Sequence, residues 1–424
     1  MYKIYTRILE RRLRRAVEED MEEEQAAFRP GRQTQDQIFT IRVAVEKNLE
    51  KNKDLYLAFI DLRAAFDSVP RRYIWEALEA KKVPLKLINA TKSVYEDPIG
   101  IVRLDGETSR EFSMQKGVKQ GDSLSPLLFN VFMDEIHKIC KRRTHRTKIG
   151  NWKLRPVYLQ SLLYADDIVL IADTQERLQH AVNEWYEELR RKGMEINIDK
   201  SKTMRISKEE QLENLRIRCG EGTMQEVDSY EYLGTIISRD GKIDQEVLNR
   251  TRKTTSAYYE ICNTIVGKRE ISTKTKMQIY KSVIVPIAQY GTESLALMDK
   301  HRSKLTGAEM KYLRRTVGKT RRDRVRNERI REEVNLRKSL IEVIEDRQLK
   351  WYGHTYRMPE ERKPKQIMEM RTEGRIGRGR PRLKWEDTVE RIGQKRGKTM
   401  VELRRMCRDR DQWRRWLDRG EPNA

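Results

Sequence analysis

Three aspartates in this sequence stand where a carboxylate could do chemistry. Asp61 meets the end of the apolar run LYLAFIDL (55–62), and Asp166 and Asp167 lie side by side within VYLQSLLYADDIVLIA (157–172). Placing a carboxylate at the end of an apolar strand is unfavourable unless something cationic compensates it. Three converging carboxylates form an all-oxygen ligand set, which suits Mg²⁺, an ion that keeps several waters and shares its shell with substrate phosphates. A pair of such ions can serve an in-line phosphoryl or nucleotidyl displacement. The plainer reading of Asp166-Asp167 is a hairpin bend and nothing more.

The elements that must position these acids follow from apolar periodicity. Residues 1–20 and 35–52 read as amphipathic helices, the second with Ile38, Ile41, Val43 and Val45 on its apolar face, and Phe28 to Arg32 is a loop between them. Residues 55–62 are a buried strand delivering Asp61 to a surface. A helical pattern around Tyr73 to Leu87 follows, then a hairpin from Ile99 to Gln115 turning at Asp105-Gly106. A helix from Ser125 to Lys141 opens with Ser125 as N-cap and Pro126 at the first helical position. Residues 157–172 make a hairpin with both arms buried, and a helix from Gln175 to Lys192 stops at Gly193. A short strand then leads into Asp199-Lys200-Ser201-Lys202. Beyond Tyr232-Leu233-Gly234 and the turn at Asp240-Gly241, helical patterns from about 244 to 355 mark a second, all-helical domain. The Gly/Arg/Pro-rich stretch 371–382 is a linker, and 383–418 reads as one or two short helices in which Trp385, Trp413 and Trp416 are packing residues or base-stacking platforms.

Composition narrows the function classes. The 424 residues allow two or three domains; 37% are hydrophobic and 37% charged. No apolar run approaches the roughly 20 residues that a bilayer crossing requires. The opening MYKIYTRILERRLRR has no unbroken apolar stretch and no small-residue cleavage site, so it is not a secretory signal and an intracellular protein is expected. Cys140, Cys219, Cys262 and Cys407 are too scattered for a disulfide framework or a local zinc spacing. The formal charge is +23, and residues 301–424 carry +17 of it, with 37 Lys+Arg against 20 Asp+Glu. Such a field attracts nucleic acid; the alternative is a solvated, charged helical surface.

Around the three acids the chain carries, in order, QAAFRPGRQTQDQI (25–38), FIDLRAAFDSV (59–69), QGDSLSPLLFNVF (120–132), the Asp166-Asp167 hairpin, GMEINIDKSK (193–202) and YLG (232–234). This series resembles the reverse transcriptases of non-LTR, LINE-type retrotransposons, over about residues 1–320. The resemblance implies an α+β, right-hand polymerase: partial fingers and palm over 1–240, a helical thumb over 241–320 and a basic helical C-terminal region over 321–424. It implies RNA-directed DNA polymerase activity, in which a primer 3′-hydroxyl attacks the α-phosphate of a deoxynucleoside triphosphate. Asp61, Asp166 and Asp167 become the catalytic, metal-binding triad, with Asp61 and Asp166 bridging two Mg²⁺ ions and Mn²⁺ able to substitute. Arg29, Phe66, Gln120, Gly121 and Lys200 become contacts to the nucleotide, and Tyr232, Leu233 and Gly234 the primer grip. Phe66 would exclude a 2′-hydroxyl, or serve as a core aromatic, or both. Arg29 clamps triphosphate or is a surface cation, and the same pair of readings applies to Lys200. Helix capping alone accounts for Ser125 and Pro126.

Arg378, Arg380 and Arg382 sit in a pattern like a minor-groove AT-hook core, or in a non-specific basic linker. The implied partners are an RNA template, a DNA primer and deoxynucleotides, with a separate endonuclease supplying the nick, since neither nuclease type usual in these elements is recognisable. The motifs begin inside the fingers, so the expectation is a fragment or truncated copy of an element polyprotein. Lys141-Arg142-Arg143 and the need to meet chromosomal DNA motivate a nuclear location. The rivals are a catalytically inactive nucleic-acid-binding remnant, a group II intron or retron reverse transcriptase, and an RNA-dependent RNA polymerase, which Phe66 and Tyr164-Ala165 oppose.

Overall fold

Residue type at strand and helix spacing decides most of the architecture of the first of two compact units. The computed structural model describes residues 2–96, 98–150, 156–209, 214–371 and 382–419. Unit one comprises Met1–Gln37, Asn52–Asp228 and Met370–Glu373; unit two comprises Ile38–Lys51, Ser229–Glu369 and Gly374–Ala424.

In chain order the first unit holds α1 (Tyr2–Val17), the first turn of α2 (Thr34–Glu50), β1 (Leu55–Ile60), α3 (Ala65–Ser68), α4 (Arg71–Ala80) and α5 (Leu85–Lys92). Four two-residue strands follow, β2 (Ile99–Gly100), β3 (Arg103–Leu104), β4 (Glu107–Thr108) and β5 (Phe112–Ser113), then α6 (Ser125–Arg143). After them come β6 (Thr147–Ile149), β7 (Val157–Leu159), β8 (Ser161–Tyr164), β9 (Asp167–Ala172), α7 (Gln175–Arg191), β10 (Lys202–Ile206), β11 (Ile217–Cys219) and β12 (Gly222–Glu226). The main sheet has the order β11-β12-β10-β1-β9-β8. β1 lies inside it, antiparallel to both neighbours and buried along its whole length, which is why its sequence is continuously apolar rather than alternating. Helices α6 and α7 supply much of the packing, with Leu127, Leu128, Phe129, Phe132 and Ile136 from one and Leu178, Val182, Trp185 and Leu189 from the other.

Several sequence boundaries shift. The pattern over 73–87 is two helices, because Lys82 takes a left-handed φ of 57° and Pro84 disfavours helix at Val83. The arm 157–164 divides at Gln160: its first part pairs with β6, its second with β9. Ser125 is the first residue of α6 and Leu124 its cap, with no side-chain capping bond; the Ser125 hydroxyl instead lies 3.1 Å from the Tyr95 hydroxyl. Of the strand expected before Asp199 there is one bridge, Leu62 to Ile196, and the strand proper follows at β10. The hairpin over 99–115 does turn at Asp105 and Gly106, both at positive φ.

The second unit takes the rest of α2 and continues with β13 (Ser229–Tyr232), β14 (Thr235–Ser238), α8 (Asp244–Ile261), α9 (Thr273–Ile279), α10 (Val285–Gln289), α11 (Asp299–Thr316), α12 (Asn327–Glu333) and α13 (Leu340–Tyr356). It ends with α14 (Lys363–Glu369), α15 (Trp385–Lys395), α16 (Met400–Cys407) and α17 (Arg410–Arg419). The boundary between units falls at Asp228/Ser229, not at 240, so YLG belongs to the helical unit, as do residues 38–51 of the expected fingers. Residues 241–320 and 321–424 do not separate. The region 383–418 contains three helices. Trp385 and Trp413 are buried: Trp385 sits edge-on to Phe39 at 4.6 Å and donates its indole N–H to the Glu293 carbonyl at 2.6 Å. All four cysteines are free and buried.

One buried ion pair stitches the segment after α1 to α6. Lys81 and Asp134, with side chains 1% and 0% exposed, are joined directly, and the second Asp134 oxygen accepts the Glu22 backbone N–H at 2.7 Å. Asp134→Ala leaves the buried Lys81 ammonium with only the largely exposed Asp20 carboxylate at 2.9 Å, so it should lower stability by about 1–3 kcal/mol in urea denaturation. An unchanged midpoint would mean that this pair does not hold the segment.

Candidate active site

Adjacent strands carry the three aspartates to one end of the sheet. Ile60 of β1 lies opposite Ile168 of β9, so Asp61 and Asp167 leave the sheet one residue beyond the same rung. Tyr164 pairs with Asp167 across a two-residue turn of Ala165 and Asp166. Ala165 has φ 58°, a left-handed conformation that costs a residue bearing a Cβ roughly 1–2 kcal/mol. Third along the sheet edge is Ser201, fully buried just before β10, whose hydroxyl accepts the Asp61 backbone N–H at 3.0 Å. The Asp61 carbonyl accepts the Asn197 N–H at 2.8 Å, so GMEINIDKSK grips Asp61 by both backbone groups.

Charge is the distinguishing property of this end. None of the three aspartates makes an ion pair among the described residues, in a chain with 89 Lys+Arg. Burial, and then the Asp61 carboxylate, raises the Asp166 pKa from its ordinary range. Burial, then the Asp166 and Asp61 carboxylates, pushes Asp167 up to about 6. Asp167 keeps an exposed edge, so solvent tempers that shift, but crowding by two like charges fixes its direction. The donor set is hard oxygen carrying uncompensated negative charge, which fits a divalent cation of the Mg²⁺ class. The three carboxylates do not all approach within 4.8 Å of one another; Glu22, Glu24 and His137 do. That second group is already answered by the Lys141 ammonium, 2.6 Å from Glu22 and 2.9 Å from Glu24.

The remaining expected residues divide. Phe66 is half-buried and stacks on Phe129, with centroids 4.3 Å apart and planes at 20°. Its carbonyl accepts the Val118 N–H at 2.9 Å, and the Gln120 amide reaches Asp67 at 3.1 Å, so the loop 117–121 is fastened to the segment after Asp61. Gly121 has φ 78° with open space around the position of a Cβ; its backbone conformation, rather than crowding, calls for glycine. Gly117 is the tighter position, since a Cβ there would meet the Asp67 carbonyl oxygen at 2.6 Å. Lys200 is exposed, with its backbone N–H on Asn197.

Arg29 is no free clamp. Its side chain is 3% exposed, pairs with Glu18 at 2.8 Å and donates to the carbonyls of Glu18, Met21, Glu22 and Gln25. Five such bonds make it the pin of its own loop. In the second unit, Tyr232 is buried, while Leu233 and Gly234 form the left-handed two-residue turn between β13 and β14. Their carbonyls are taken by Tyr290, at 2.8 Å, and by Arg250. Arg378 and Arg380 lie outside the described residues; Arg382 donates to the Asp240 carbonyl at 2.7 Å. Lys141 is held by Glu22 and Glu24, while Arg143, half exposed, lies 3.5 Å from Glu184.

Sequence reasoning missed Ser201 and Gln25 as individuals. Gln25, fully buried, accepts the N–H of Ala27 and of Ala165, each at 3.2 Å, and so fixes the turn that presents Asp166. The available signal was a polar side chain next to Ala26-Ala27 in a motif otherwise read as loop.

A pH consequence follows for Asp167. Because its folded pKa lies above the ordinary 3.8, the folded chain binds the proton more tightly than the unfolded chain. Its contribution to stability therefore falls as pH rises from about 4 through 6 and stays unfavourable above. Asp167→Asn should melt higher than the parent at pH 7.5 in a chelator, and the gap should close near pH 4. A lower melting temperature at pH 7.5 would contradict the electrostatic account.

Comparison with known proteins agrees with this arrangement of motifs. The family described as reverse transcriptase (RNA-dependent DNA polymerase) matches residues 1–237. The Pol polyprotein of retrotransposable element R2 from Nasonia vitripennis is 30% identical over 206 residues, covering 46% of this chain and 20% of that protein. The corresponding R2DM polyprotein of Drosophila melanogaster is 29% identical over 227 residues, 52% of this chain and 21% of that protein. The RNA-directed DNA polymerase of the Drosophila melanogaster mobile element jockey is 24% identical over 313 residues, 69% of this chain and 32% of that protein. The chain thus spans about a fifth to a third of the length of these relatives. It belongs to the reverse transcriptase (RNA-dependent DNA polymerase) family, and the relatives it resembles are proteins of retrotransposable and mobile elements.

Proposed function

We propose that this protein is an RNA-directed DNA polymerase that extends a DNA primer on an RNA template from deoxynucleoside triphosphates. The observation that carries the reading is the set of three aspartates at one sheet end with no cationic partner among the described residues, in a chain of charge +23. Asp61, Asp166 and Asp167 would hold two Mg²⁺ ions, with Mn²⁺ as a substitute. Bound there, such ions supply activation of the 3′-hydroxyl and charge stabilisation of the departing pyrophosphate. The oxygen–phosphorus bond forms at the α-phosphate as the bond to the β-phosphate breaks.

The chain's own residues position the reactants. Ser201 and Asn197 hold the Asp61 backbone, and Gln25 holds the turn before Asp166. The Phe66 ring, braced by Phe129, supports a sugar without a 2′-hydroxyl. Gln120 and Gly121 lie on the loop tied to Phe66 and face nucleotide and template, and Lys200, whose side chain is exposed, assists pyrophosphate departure. The turn at Tyr232-Leu233-Gly234 grips primer through its backbone. An independent endonuclease would supply the nick.

Primer extension on an RNA template with Mg²⁺ tests this directly. Asp166→Asn should reduce deoxynucleotide incorporation by roughly 1000-fold or more, and Phe66→Ala should raise ribonucleotide incorporation relative to the parent. Extension that survives both chelator and Asp166→Asn, or a parent enzyme that prefers ribonucleotides, would overturn the assignment. Binding of primer–template without any extension would identify an inactive remnant.

A further inference from the structure

Near its end the second unit gathers positive charge that, among the described residues, its neighbours answer only in part. Helix α13 shows the contrast along its own length. Early in it, Glu345 and Asp346 collect Arg302, Lys395, Lys338 and Arg396 in four ion pairs. One turn later the same helix presents Lys350 and His354, and Arg357 follows it; among the described residues none of these three has an ion-pair partner. Arg357 gives one N–H to the Cys407 carbonyl at 2.9 Å, which fixes the guanidinium without neutralising it.

A cleft of about 740 Å³ opens over these groups, and Arg362, Arg410 and Arg414 line it with them. Its floor includes the buried Met358, Trp413 and Leu417. Asp418 is the single carboxylate in the lining, 3.7 Å from Arg414 with both side chains largely in water, where a pair of this kind contributes little. Asp409, next to Arg410, commits its carboxylate to the backbone N–H groups of Asp411 and Gln412 at the start of α17. The convergence of charge registers on His354: burial, then Arg362, Arg357 and Arg410, holds its imidazole below the ordinary range.

Permanent cations from three segments, facing one open cleft, are an arrangement for phosphate. Guanidinium groups bind phosphate oxygens in pairs, and a polymer that carries one charge per residue can answer all of them where a lone phosphate could not. We infer that the cleft lined by Lys350, Arg357, Arg410 and Arg414 binds the sugar–phosphate backbone of a nucleic acid, at a site built entirely within the second unit. Recognition there is independent of sequence and of divalent metal. Its affinity comes from counterion release, so it falls steeply with salt. The site differs in residues and chemistry from the aspartate centre and does not require catalysis.

The test uses the full chain in EDTA, so that metal-dependent binding at the aspartates is silent. Fluorescence anisotropy with a labelled 20-nucleotide RNA hairpin is followed from low to high KCl. Arg410→Glu with Arg414→Glu, two exposed positions, should weaken binding about tenfold or more at 0.1 M KCl and make the slope of log K against log salt shallower by about 2. The same charge change placed at exposed Arg321 and Arg322 should do markedly less. In the parent, the hairpin should protect Lys350 from acetylation, and inorganic phosphate at equal phosphate concentration should not. Equal losses from the two double variants, an unchanged slope, protection of Lys350 by phosphate alone, or tighter binding to phosphatidylserine vesicles than to the hairpin would each overturn the inference. Asp166→Asn should leave these readouts unchanged, so a failed primer extension would count against the polymerase reading and not against this cleft.

Discussion

Unneutralised negative charge, held in place by an apolar sheet, is the constraint on which the rest of the first unit depends. Asp61, Asp166 and Asp167 repel one another, and a folded chain relieves such repulsion by separating the groups or pairing each with a cation. Among the described residues neither happens here. β1 is buried from Leu55 to Ile60, β9 from Ile168 to Ala172, and their pairing leaves Asp61 and Asp167 no route apart. The Ser201 hydroxyl accepts the Asp61 N–H, the Asn197 N–H donates to the Asp61 carbonyl and the Gln25 side chain accepts the Ala165 N–H, which removes the remaining freedom. The sheet thus stores an unfavourable arrangement that a hard cation would relieve, and its packing bears the cost.

The two units handle charge differently. In the first, several buried acids outside the sheet end are answered, Asp134 by Lys81, Glu24 by Lys141 and Glu188 by Arg191, while the buried Asp122 carboxylate has no ion-pair partner among the described residues. In the second, Glu309 is answered by Arg331 and Glu293 by Arg347, but the excess of cations gathers toward the end of α13 and α17. Among the described residues, the sheet end of the first unit thus gathers carboxylates and the end of α13 with α17 in the second gathers cations, departures from charge balance of opposite sign. A catalytic centre for phosphoryl chemistry and a surface for polyanions need that pair of departures.

Those parts of the molecule set by local pattern were legible in the sequence. The continuous apolar run of 55–60, the two β-rich arms around Asp166-Asp167 and the Gly193 stop all follow from side-chain period and backbone freedom, and the observed elements lie within a few residues of them. Long-range wiring was not legible. Arg29 read as a ligand clamp because a lone arginine beside proline and glycine carries no sign of the four carbonyls it will bind. Gln25 and Ser201 act through partners 140 residues away in sequence, and only the fold brings each pair together. The division at 228/229 was equally hidden, since a hairpin such as β13–β14 fits either neighbour until its contacts with α8 and the Tyr290 hydroxyl are seen. The cleft beside α13 was missed because its cations come from three separated stretches, none unusual alone.

The bond from the Ala165 N–H to the Gln25 side chain bears on attempts to transplant this site. The acidic bend looks self-contained, two strands and a four-residue corner. Its left-handed alanine, however, is steadied by an amide borrowed from a distant loop, which is itself pinned by Arg29. A designer grafting the bend into a new scaffold would need that loop as part of the graft, or would inherit a corner free to relax away from the shape that aims its acids.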